Sequence, residues 1–292
     1  MSQSRSGPGI LLQLATGLTA GAIGLIFLMV LAFAWPVFFP SAAGADIGLF
    51  SWQWRPAAGL FGILPMIVGS VLLAISAVSI AWLLSLGISV WLLSAAGGAT
   101  SRTRRWLQWL IAGLIRFMTS VPTVVYGFVA IFLLVPIVRE AAGGSGLNWL
   151  SASLTLSLLL VPTMVLVMEA GLRPRMEQIS LSASALGFSR AQSVTYFVLP
   201  QGKRCLLTAL ALGFGRGIGD TLIALMLSGN WPQIPYHAAD SLRTLTAHMA
   251  LVTANEVGGA AYNSLFAAGA ILLLINVCVS LGLRMLNRRA EQ

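Results

Sequence analysis

The sequence predicts an all-α integral membrane protein with six transmembrane helices. Of its 292 residues, 58% are hydrophobic and only 9% are charged, and the mean hydropathy is +0.89. A soluble domain carries about 25% charged residues, so this composition excludes a soluble enzyme. Six apolar stretches are long enough to cross a hydrocarbon core of about 30 Å, which takes about 20 residues. They cover approximately residues 11–34, 63–93, 107–138, 150–170, 205–228 and 259–284.

The positive charges predict the orientation of these spans. The chain holds 17 lysines and arginines against 8 acids, a net charge of +9. Most of these bases lie in short loops between apolar runs, so a lipid bilayer explains them better than a nucleic acid does. With the N-terminus in the cytoplasm, twelve bases lie inside, three lie outside, and Arg116 and Arg216 fall within spans. We therefore expect a multi-pass protein of the cell (inner) membrane with both termini cytoplasmic.

Spans and loops divide the chain into three parts. These are a cytoplasmic tail, first span and outer loop at 1–60, a core of five spans at 61–285, and a cytoplasmic tail at 286–292. Within the core, residues 171–204 form a cytoplasmic loop between spans four and five. Its residues 181–200 predict a short helix, a break at Gly187 and a second helix stopped by Pro200. The loop is either an amphipathic element on the membrane surface or a docking element for a cytoplasmic partner.

Charged residues inside the spans are candidate functional residues, because a charge in hydrocarbon is expensive. Arg216 and Asp220 are four residues apart in the fifth span, which places them on one face of a helix. They form either an anion site, in which Asp220 holds Arg216 when the anion is absent, or a structural ion pair between helices. Gly217 and Gly219 permit close helix packing and expose the backbone to a ligand.

Arg116 and Pro122 distinguish the third span. Arg116 lies about 15 Å past the cytoplasmic cluster of bases, at 1.5 Å per helical residue. It either adds a second positive charge to an anion path or extends to the inner headgroups. Pro122 cannot continue helical hydrogen bonding and should kink or break the span. Broken helices in transporters usually face a pathway, because their freed backbone groups need water or a ligand.

The sequence carries no motif of an enzyme or of a metal site. Cys205 and Cys278 offer no disulfide framework or ligand pair, and His237 and His248 lack partners at ligand spacing. The only lysine, Lys203, is not followed by the Ser or Thr of a phosphate-binding G-x-x-x-x-G-K-[ST] loop. We expect no metal and no cofactor in this chain, and no ATP hydrolysis by the chain alone.

The cytoplasmic loop resembles the "EAA" loop of permease subunits of ABC importers. That family carries a Gly followed at fixed spacing by Ile-x-Leu-Pro, which Gly187 and Phe197-Val-Leu-Pro200 match. Ala183 also matches, whereas Leu181 and Ser182 replace the family's Glu and first Ala. The resemblance implies that the loop docks on an ATPase. The coupling residues would be Ala183, Ala185, Gly187, Phe188, Phe197, Leu199 and Pro200.

Five further segments are similar to those of phosphate-specific (Pst) permeases, and among these to the PstC-like subunit. Val121-Pro-Thr-Val-Val-Tyr-Gly127 resembles their Ile-Pro-Ser-Val-Val-Tyr-Gly. Gly213-Phe-Gly-Arg-Gly-Ile-Gly-Asp-Thr221 resembles their Gly-Leu-Gly-Arg-Ala-Leu-Gly-Glu-Thr, with Asp220 in place of the Glu. The others are Phe61-Gly-Ile-Leu-Pro65, Ser228-Gly-Asn230 and Arg243-Thr-Leu-Thr246. The resemblance covers approximately residues 61–285, which would form the permease core.

This resemblance implies a type I ABC importer permease (MetI-like) fold with a cytoplasmic coupling helix. The partners it implies are a second, PstA-like permease subunit, two ATPase subunits that hold ATP and magnesium, and an extracytoplasmic phosphate-binding protein. The substrate pathway would contain Arg216, Asp220, Arg116, Pro122, Gly217 and Gly219.

Two alternatives to a phosphate importer stay open. One is an importer of another oxyanion, such as sulfate, molybdate or phosphonate, because one cation opposite one acid does not choose between tetrahedral anions. The other is a stand-alone secondary carrier or channel, for which the long cytoplasmic loop would have no purpose.

Overall fold

The computed structural model describes residues 7–39, 48–95, 102–256 and 258–289, which are mostly helical. Five helices in these ranges are long and apolar enough to cross a membrane. They are Leu11–Phe38, Leu64–Ala95, Thr123–Ala142, Trp149–Ala185 and Ala261–Gly282. The first, second, fourth and sixth predicted spans are therefore present, whereas the third is displaced and the fifth is divided. The predicted tail residues 1–6, including Arg5, and 290–292 lie outside the described ranges.

The chain contains twelve α-helices and one hairpin in its described residues. They are α1 Gly7–Phe38, β1 Trp54–Arg55, β2 Leu60–Phe61, α2 Leu64–Ala95, α3 Arg102–Ser120, α4 Thr123–Val129, α5 Val135–Ala142, α6 Trp149–Ala185, α7 Arg190–Ser193, α8 Leu199–Gln201, α9 Lys203–Gly219, α10 Leu222–Leu227, α11 Leu245–Asn255 and α12 Gly259–Arg289. β1 pairs antiparallel with β2, so that Trp54 lies opposite Phe61. π-helical turns join α4 to α5 and α7 to α8.

The core is formed by α2, α6 and α9, which pack against one another. α6 contributes large, fully buried side chains such as Leu156, Leu160 and Met164, whereas α2 contributes small ones such as Ala74 and Ala77. Small residues let membrane helices approach closely, and van der Waals contact then holds them together. α9, which carries the predicted anion site, is thereby positioned against α6.

α1 lies at the side of this core and packs against α12. The rings of Phe33 and Phe266 stack between them, with centroids 4.9 Å apart. Most of the described α1 side chains are exposed and apolar. Such a surface is what a peripheral span presents to lipid.

The two ends of the helical bundle differ. At one end, called the hairpin end, β1 and β2 pack against α11, and residues 229–243 contact the start of α6. There the N–H of Trp149, at the start of α6, donates to the Asp240 carbonyl oxygen at 2.9 Å. The ring of Trp54 in β1 meets that of His248 in α11 edge-on, with centroids 4.4 Å apart. At the other end, called the loop end, α6 continues to Ala185 and is followed by α7 and α8.

The third predicted span, 107–138, is wrong as a continuous helix. α3 ends at Ser120, and the apolar helix that is long enough to span begins only at Thr123. Pro122 has an extended backbone, with φ −60° and ψ 142°, because it cannot donate to the preceding turn. α3 is a separate amphipathic helix on which most of the described side chains are exposed.

The fifth predicted span, 205–228, is also wrong as a single helix. α9 ends at Gly219, and Asp220 takes an extended backbone with φ −72° and ψ 123° before the short helix α10 begins. The 17 residues of α9 are about 26 Å long, so this helix covers most of a hydrocarbon core. An aspartate side chain competes for backbone N–H groups, which favours the end of one helix and the start of another.

Residues 181–200 differ from the predicted pair of short helices. The residues before Gly187 continue α6, and Gly187 provides the predicted break with φ +80°. The second helical segment passes Pro200 and reaches Gln201. The π-helical turn Val194–Val198 precedes this proline, and its wider ring accommodates a residue that lacks an N–H.

Candidate substrate pathway and coupling loop

Tyr126 bridges the break between α3 and α4. Its hydroxyl donates to the Met118 carbonyl oxygen at 2.7 Å. In an unbroken helix that carbonyl would accept from the residue four positions later, which is Pro122 and has no N–H. The tyrosine therefore supplies the donor that the proline lacks and ties the last turn of α3 to α4. The predicted break at Pro122 is present, and the proline is exposed there.

Arg216 extends from α9 to α6 inside the span. Its Nη1 donates to the hydroxyl of Thr163 at 2.6 Å. Thr163 lies 14 residues after Trp149, the first residue of α6, which is about 21 Å along the helix. The Arg216 side chain is exposed. A guanidinium bonded to a neutral hydroxyl can bind an anion without first breaking an ion pair.

Asp220 does not pair with Arg216, so the predicted ion pair is wrong. Both residues belong to the described part of the chain, and their charged atoms form no ion pair within 4.0 Å. Because α9 ends one residue before Asp220, the two side chains do not share a helix face. Instead, Asp220 Oδ1 accepts the N–H of Ile223 at 2.8 Å, as a helix-capping side chain does. The carboxylate is thus used to start α10.

Asp220 also belongs to a circuit, called the Asp220 ring below, in which four hydrogen bonds are connected by the stretches of chain between them. Its four bonds are Ile223 N–H to Asp220 Oδ1 at 2.8 Å, Asn230 Nδ2 to the Leu225 carbonyl at 2.6 Å, Arg243 Nε to the Asn230 carbonyl at 2.8 Å, and Thr246 Oγ1 to the Asp220 carbonyl at 3.0 Å. The ring joins the end of α9, α10 and the start of α11. Three segments that the sequence singled out, 213–221, 228–230 and 243–246, therefore meet in one unit.

The glycines of α9 lie in different environments. A Cβ on Gly217 would lie 3.3 Å from Leu160, and one on Gly213 would lie 2.9 Å from Met164, so both glycines serve close packing against α6. An added Cβ on Gly219 would meet no described atom within 4 Å. Gly219 is therefore open beside the break at Asp220, whereas Gly217 is buried.

The break at Pro122 places Arg116 on a separate helix rather than in one continuous third span. Arg116 is carried by α3, before the break at Pro122, and its side chain is exposed. The apolar residues of α3 and α4 form one stretch in the sequence, although the helix is interrupted between them. Both proposed roles for Arg116, in the anion path or at the headgroups, stay predictions.

Gly187 ends α6 at the loop end with a defined turn. The N–H of Phe188 donates to the Ala183 carbonyl and that of Gly187 to the Ser184 carbonyl, each at 3.0 Å. This pair of bonds is the usual helix ending at a glycine in the left-handed region. Ser189 then caps α7 through reciprocal bonds with a glutamine, so the chain direction is set on both sides of the glycine.

The loop end presents apolar side chains that the chain itself does not cover. Leu181, Leu186 and Tyr196 are 81%, 74% and 65% exposed. Phe188 and Phe197 meet edge-on with ring centroids 5.1 Å apart, which links the two sides of the turn. Of the remaining predicted coupling residues, Ala183 is buried, Leu199 is half-buried, and Ala185 and Pro200 are exposed.

Two residues of the site were not predicted from the sequence: Thr163 as the partner of Arg216, and Tyr126 as the bridge across the break. The hydroxyl of Thr163, directly after Pro162 in an apolar span, could have indicated its role. The role of Tyr126 could not be predicted in this way, because only the fold shows which carbonyl its hydroxyl reaches.

Residues 87–292 match the family described as the binding-protein-dependent transport system inner membrane component. The chain belongs to this family. It is thus a permease subunit of an ABC importer, a multi-pass membrane component that does not hydrolyse ATP, since the ATPase of such a system is a separate subunit.

Curated relatives resemble this permease over most of its length. A probable ABC transporter permease protein YqgH of Bacillus subtilis is 27% identical over 83% of the chain and 78% of the relative. The phosphate transport system permease protein PstC of Xylella fastidiosa is 26% identical over 83% and 79%. A probable PstC of Methanocaldococcus jannaschii is 24% identical over 91% and 90%.

Two solved structures share the fold of this permease. An inward-facing MetNI methionine ABC transporter chain matches with a TM-score of 0.63 at 13% identity, over 81% of this chain and 99% of that one. A chain of a bacterial ABC transporter for the acidic polysaccharide alginate matches with a TM-score of 0.64 at 14% identity, over 97% and 96%. The predicted type I importer fold is confirmed.

Proposed function

We propose that this permease subunit takes up inorganic phosphate and forms the translocation path together with a second permease subunit. The relatives named as phosphate transport permeases support this substrate, as do the segments around Arg216 and Pro122 that resemble the Pst permeases. Importers of sulfate, molybdate or phosphonate are the competing assignment.

One observation carries the proposal: Arg216 is an arginine about 21 Å into the bundle, and its described hydrogen-bond partner is a neutral hydroxyl. A cation at this depth is expensive without an opposite charge or water. A carboxylate is near but is used to cap α10. A phosphate anion is the right complement, because the planar guanidinium can bond two of its oxygens at once.

The loop end supports the proposed coupling to ATP hydrolysis. Its exposed apolar side chains and the rigid turn at Gly187 give a partner a defined surface on residues 171–204. Two ATPase subunits that hold ATP and magnesium would dock there, and a PstA-like permease would complete the path. The hairpin end then faces outward to an extracytoplasmic phosphate-binding protein, with both termini in the cytoplasm.

Uptake by the reconstituted complex tests the substrate. Proteoliposomes that contain the permeases, the ATPases and ATP receive the binding protein and labelled phosphate, sulfate or molybdate in turn. Phosphate uptake with little uptake of the other two is the expected result. Uptake of sulfate or molybdate in place of phosphate would assign the importer to that anion instead.

Variants of Arg216 test the site. Arg216→Gln should abolish uptake while the complex still assembles. Arg216→Lys should retain part of the uptake, because it keeps the positive charge but loses the planar guanidinium. The Arg216→Gln/Asp220→Asn variant should be as inactive as Arg216→Gln. Wild-type uptake by this double variant would remove Arg216 from the path and leave it as a contact between helices.

A further inference from the structure

Arg243 is a second arginine whose charge the described structure does not neutralise. Its Nε donates to the Asn230 carbonyl oxygen at 2.8 Å, which closes the Asp220 ring. Within the described residues, Nη1 and Nη2 have no hydrogen-bond acceptor, and no carboxylate lies within 4.0 Å of the guanidinium. The side chain is half-buried, and this burial lowers the pKa of Arg243 from its ordinary value.

The position of Arg243 relative to Arg216 follows from their contacts with α2. A Cβ on Gly69 would lie 2.5 Å from the Arg243 carbonyl oxygen, whereas a Cβ on Gly217, next to Arg216, would lie 3.6 Å from Val78. Gly69 and Val78 are nine residues apart on one helix, or about 14 Å. Arg243 therefore lies about that much closer to the hairpin end than Arg216 does.

Asp220 separates the two arginines along this direction. It follows Arg216 by four residues, and the ring joins its carbonyl to Thr246, three residues after Arg243. An anion that enters from the hairpin end reaches the level of Arg243 first and meets the carboxylate of Asp220 before it reaches Arg216. Without an attractive charge at the entrance, that carboxylate would repel it.

We propose that Arg243 is an anion-binding residue at the entrance of the path, where Nη1 and Nη2 hold the phosphate before it passes Asp220 to Arg216. This inference rests on the proposed function. Its geometric basis is the Nε bond to Asn230, which fixes the plane of the guanidinium and leaves the opposite edge for two oxygens of a tetrahedral anion. The Asp220 ring thus orients the Arg243 guanidinium and also joins the segments on both sides of the break at Asp220.

The experiment compares three substitutions of Arg243 in the complete reconstituted importer, with labelled orthophosphate as the probe. Arg243→Gln should reduce uptake about ten- to hundredfold, the loss expected for a hydrogen-bonded charge. Arg243→Lys should lie between Gln and the wild type, and Arg243→Glu should be lower than Gln because it repels the anion. Arg139→Gln, which removes an exposed arginine from α5, is the matched control and should transport normally.

A purely structural role for Arg243 gives a different ranking. Lys cannot reproduce the planar Nε bond to Asn230, so Gln, Lys and Glu would then be equally impaired, together with the amount of assembled complex. That result, or wild-type uptake by Arg243→Gln, overturns the inference.

Failure of the proposed function is separable from failure of this inference. If Arg216→Gln abolishes phosphate uptake and Arg243→Gln does not, only the entrance site is wrong. If the wild type carries sulfate or molybdate instead, the proposed substrate is wrong, and the same ranking measured with that anion decides the role of Arg243. If the wild type carries none of the three anions, both proposals fail.

Discussion

The hydroxyl of Thr246 donates to the carbonyl oxygen of Asp220 at 3.0 Å, although 26 residues separate the two in the sequence. Asp220 stands where the fifth predicted span breaks, and Thr246 lies in the first turn of α11. The bond therefore satisfies a carbonyl that the break leaves without a helical donor. It also means that the break, α10 and α11 should respond together to mutation.

Replacing the side chain of Asp220 should separate its capping role from its charge. Asp220→Ala removes the acceptor for the Ile223 N–H and should destabilise this region by about 1 kcal/mol, whereas Asp220→Asn keeps an acceptor oxygen and caps well. Thermal unfolding of the purified complex in detergent measures the difference. Equal destabilisation by Asn and Ala would mean that the negative charge, rather than the cap, is what the fold requires.

Substitution of Gly187 should uncouple transport from ATP hydrolysis. At φ +80° a β-branched residue is strained by about 1–3 kcal/mol, so Gly187→Val should distort the turn between α6 and α7. Asparagine tolerates this backbone conformation, which makes Gly187→Asn the matched control. We expect Val, but not Asn, to abolish binding-protein-stimulated ATPase activity in a correctly assembled complex. Normal stimulation in the Val variant would show that the turn is not part of the coupling.

Two glycines of α2 should differ sharply on replacement by alanine. A Cβ on Gly69 would lie 2.5 Å from the Arg243 carbonyl oxygen, so Gly69→Ala must push α2 away from the start of α11. This shift also strains the 2.7 Å bond from the Leu245 N–H to Ser70, and a loss of about 1–3 kcal/mol is expected.

Gly87→Ala on the same helix is the control for that substitution. Its Cβ would meet no described atom within 4 Å, and alanine favours a helix over glycine. Unfolding temperatures of the two variants check the prediction. Similar behaviour of both would mean that the contact between α2 and Arg243 adapts without cost.

Asp240 should make part of the hairpin end sensitive to acid. Its Oδ2 accepts the N–H groups of Tyr236 and His237 at 2.8 Å each, and these bonds lower the pKa of Asp240 from its ordinary value. The order of this turn is therefore fully supported above the unfolded pKa of 3.8 and is lost as the pH falls through the lower folded value.

Hydrogen exchange of the Tyr236 and His237 amides, corrected for the intrinsic effect of pH, measures this dependence. Protection should be constant from pH 7 to about 4 and should decline only below that value. The Asp240→Asn variant does not ionise and should show no such step. A decline that begins near pH 6 would point to a different titrating group.

Local chemistry was sufficient for the membrane class, four of the spans and the breaks at Pro122 and Gly187. The length of an apolar run, the missing N–H of a proline and the freedom of a glycine at positive φ act within a few residues. The same kind of local signal singled out the segments around Arg216 and Gly187 as candidate functional segments.

Only the tertiary structure decided which groups those residues contact. Four-residue spacing predicted that Arg216 would meet Asp220, but the helix ends between them, and Arg216 instead reaches Thr163, which lies 53 residues away. The break at Pro122 places Arg116 on α3, apart from the apolar helix that follows. The Asp220 ring likewise joins segments whose separation no local pattern encodes. Such bonds form between groups that packing brings together, and the packing of α2, α6 and α9 depends on surfaces contributed by the whole chain.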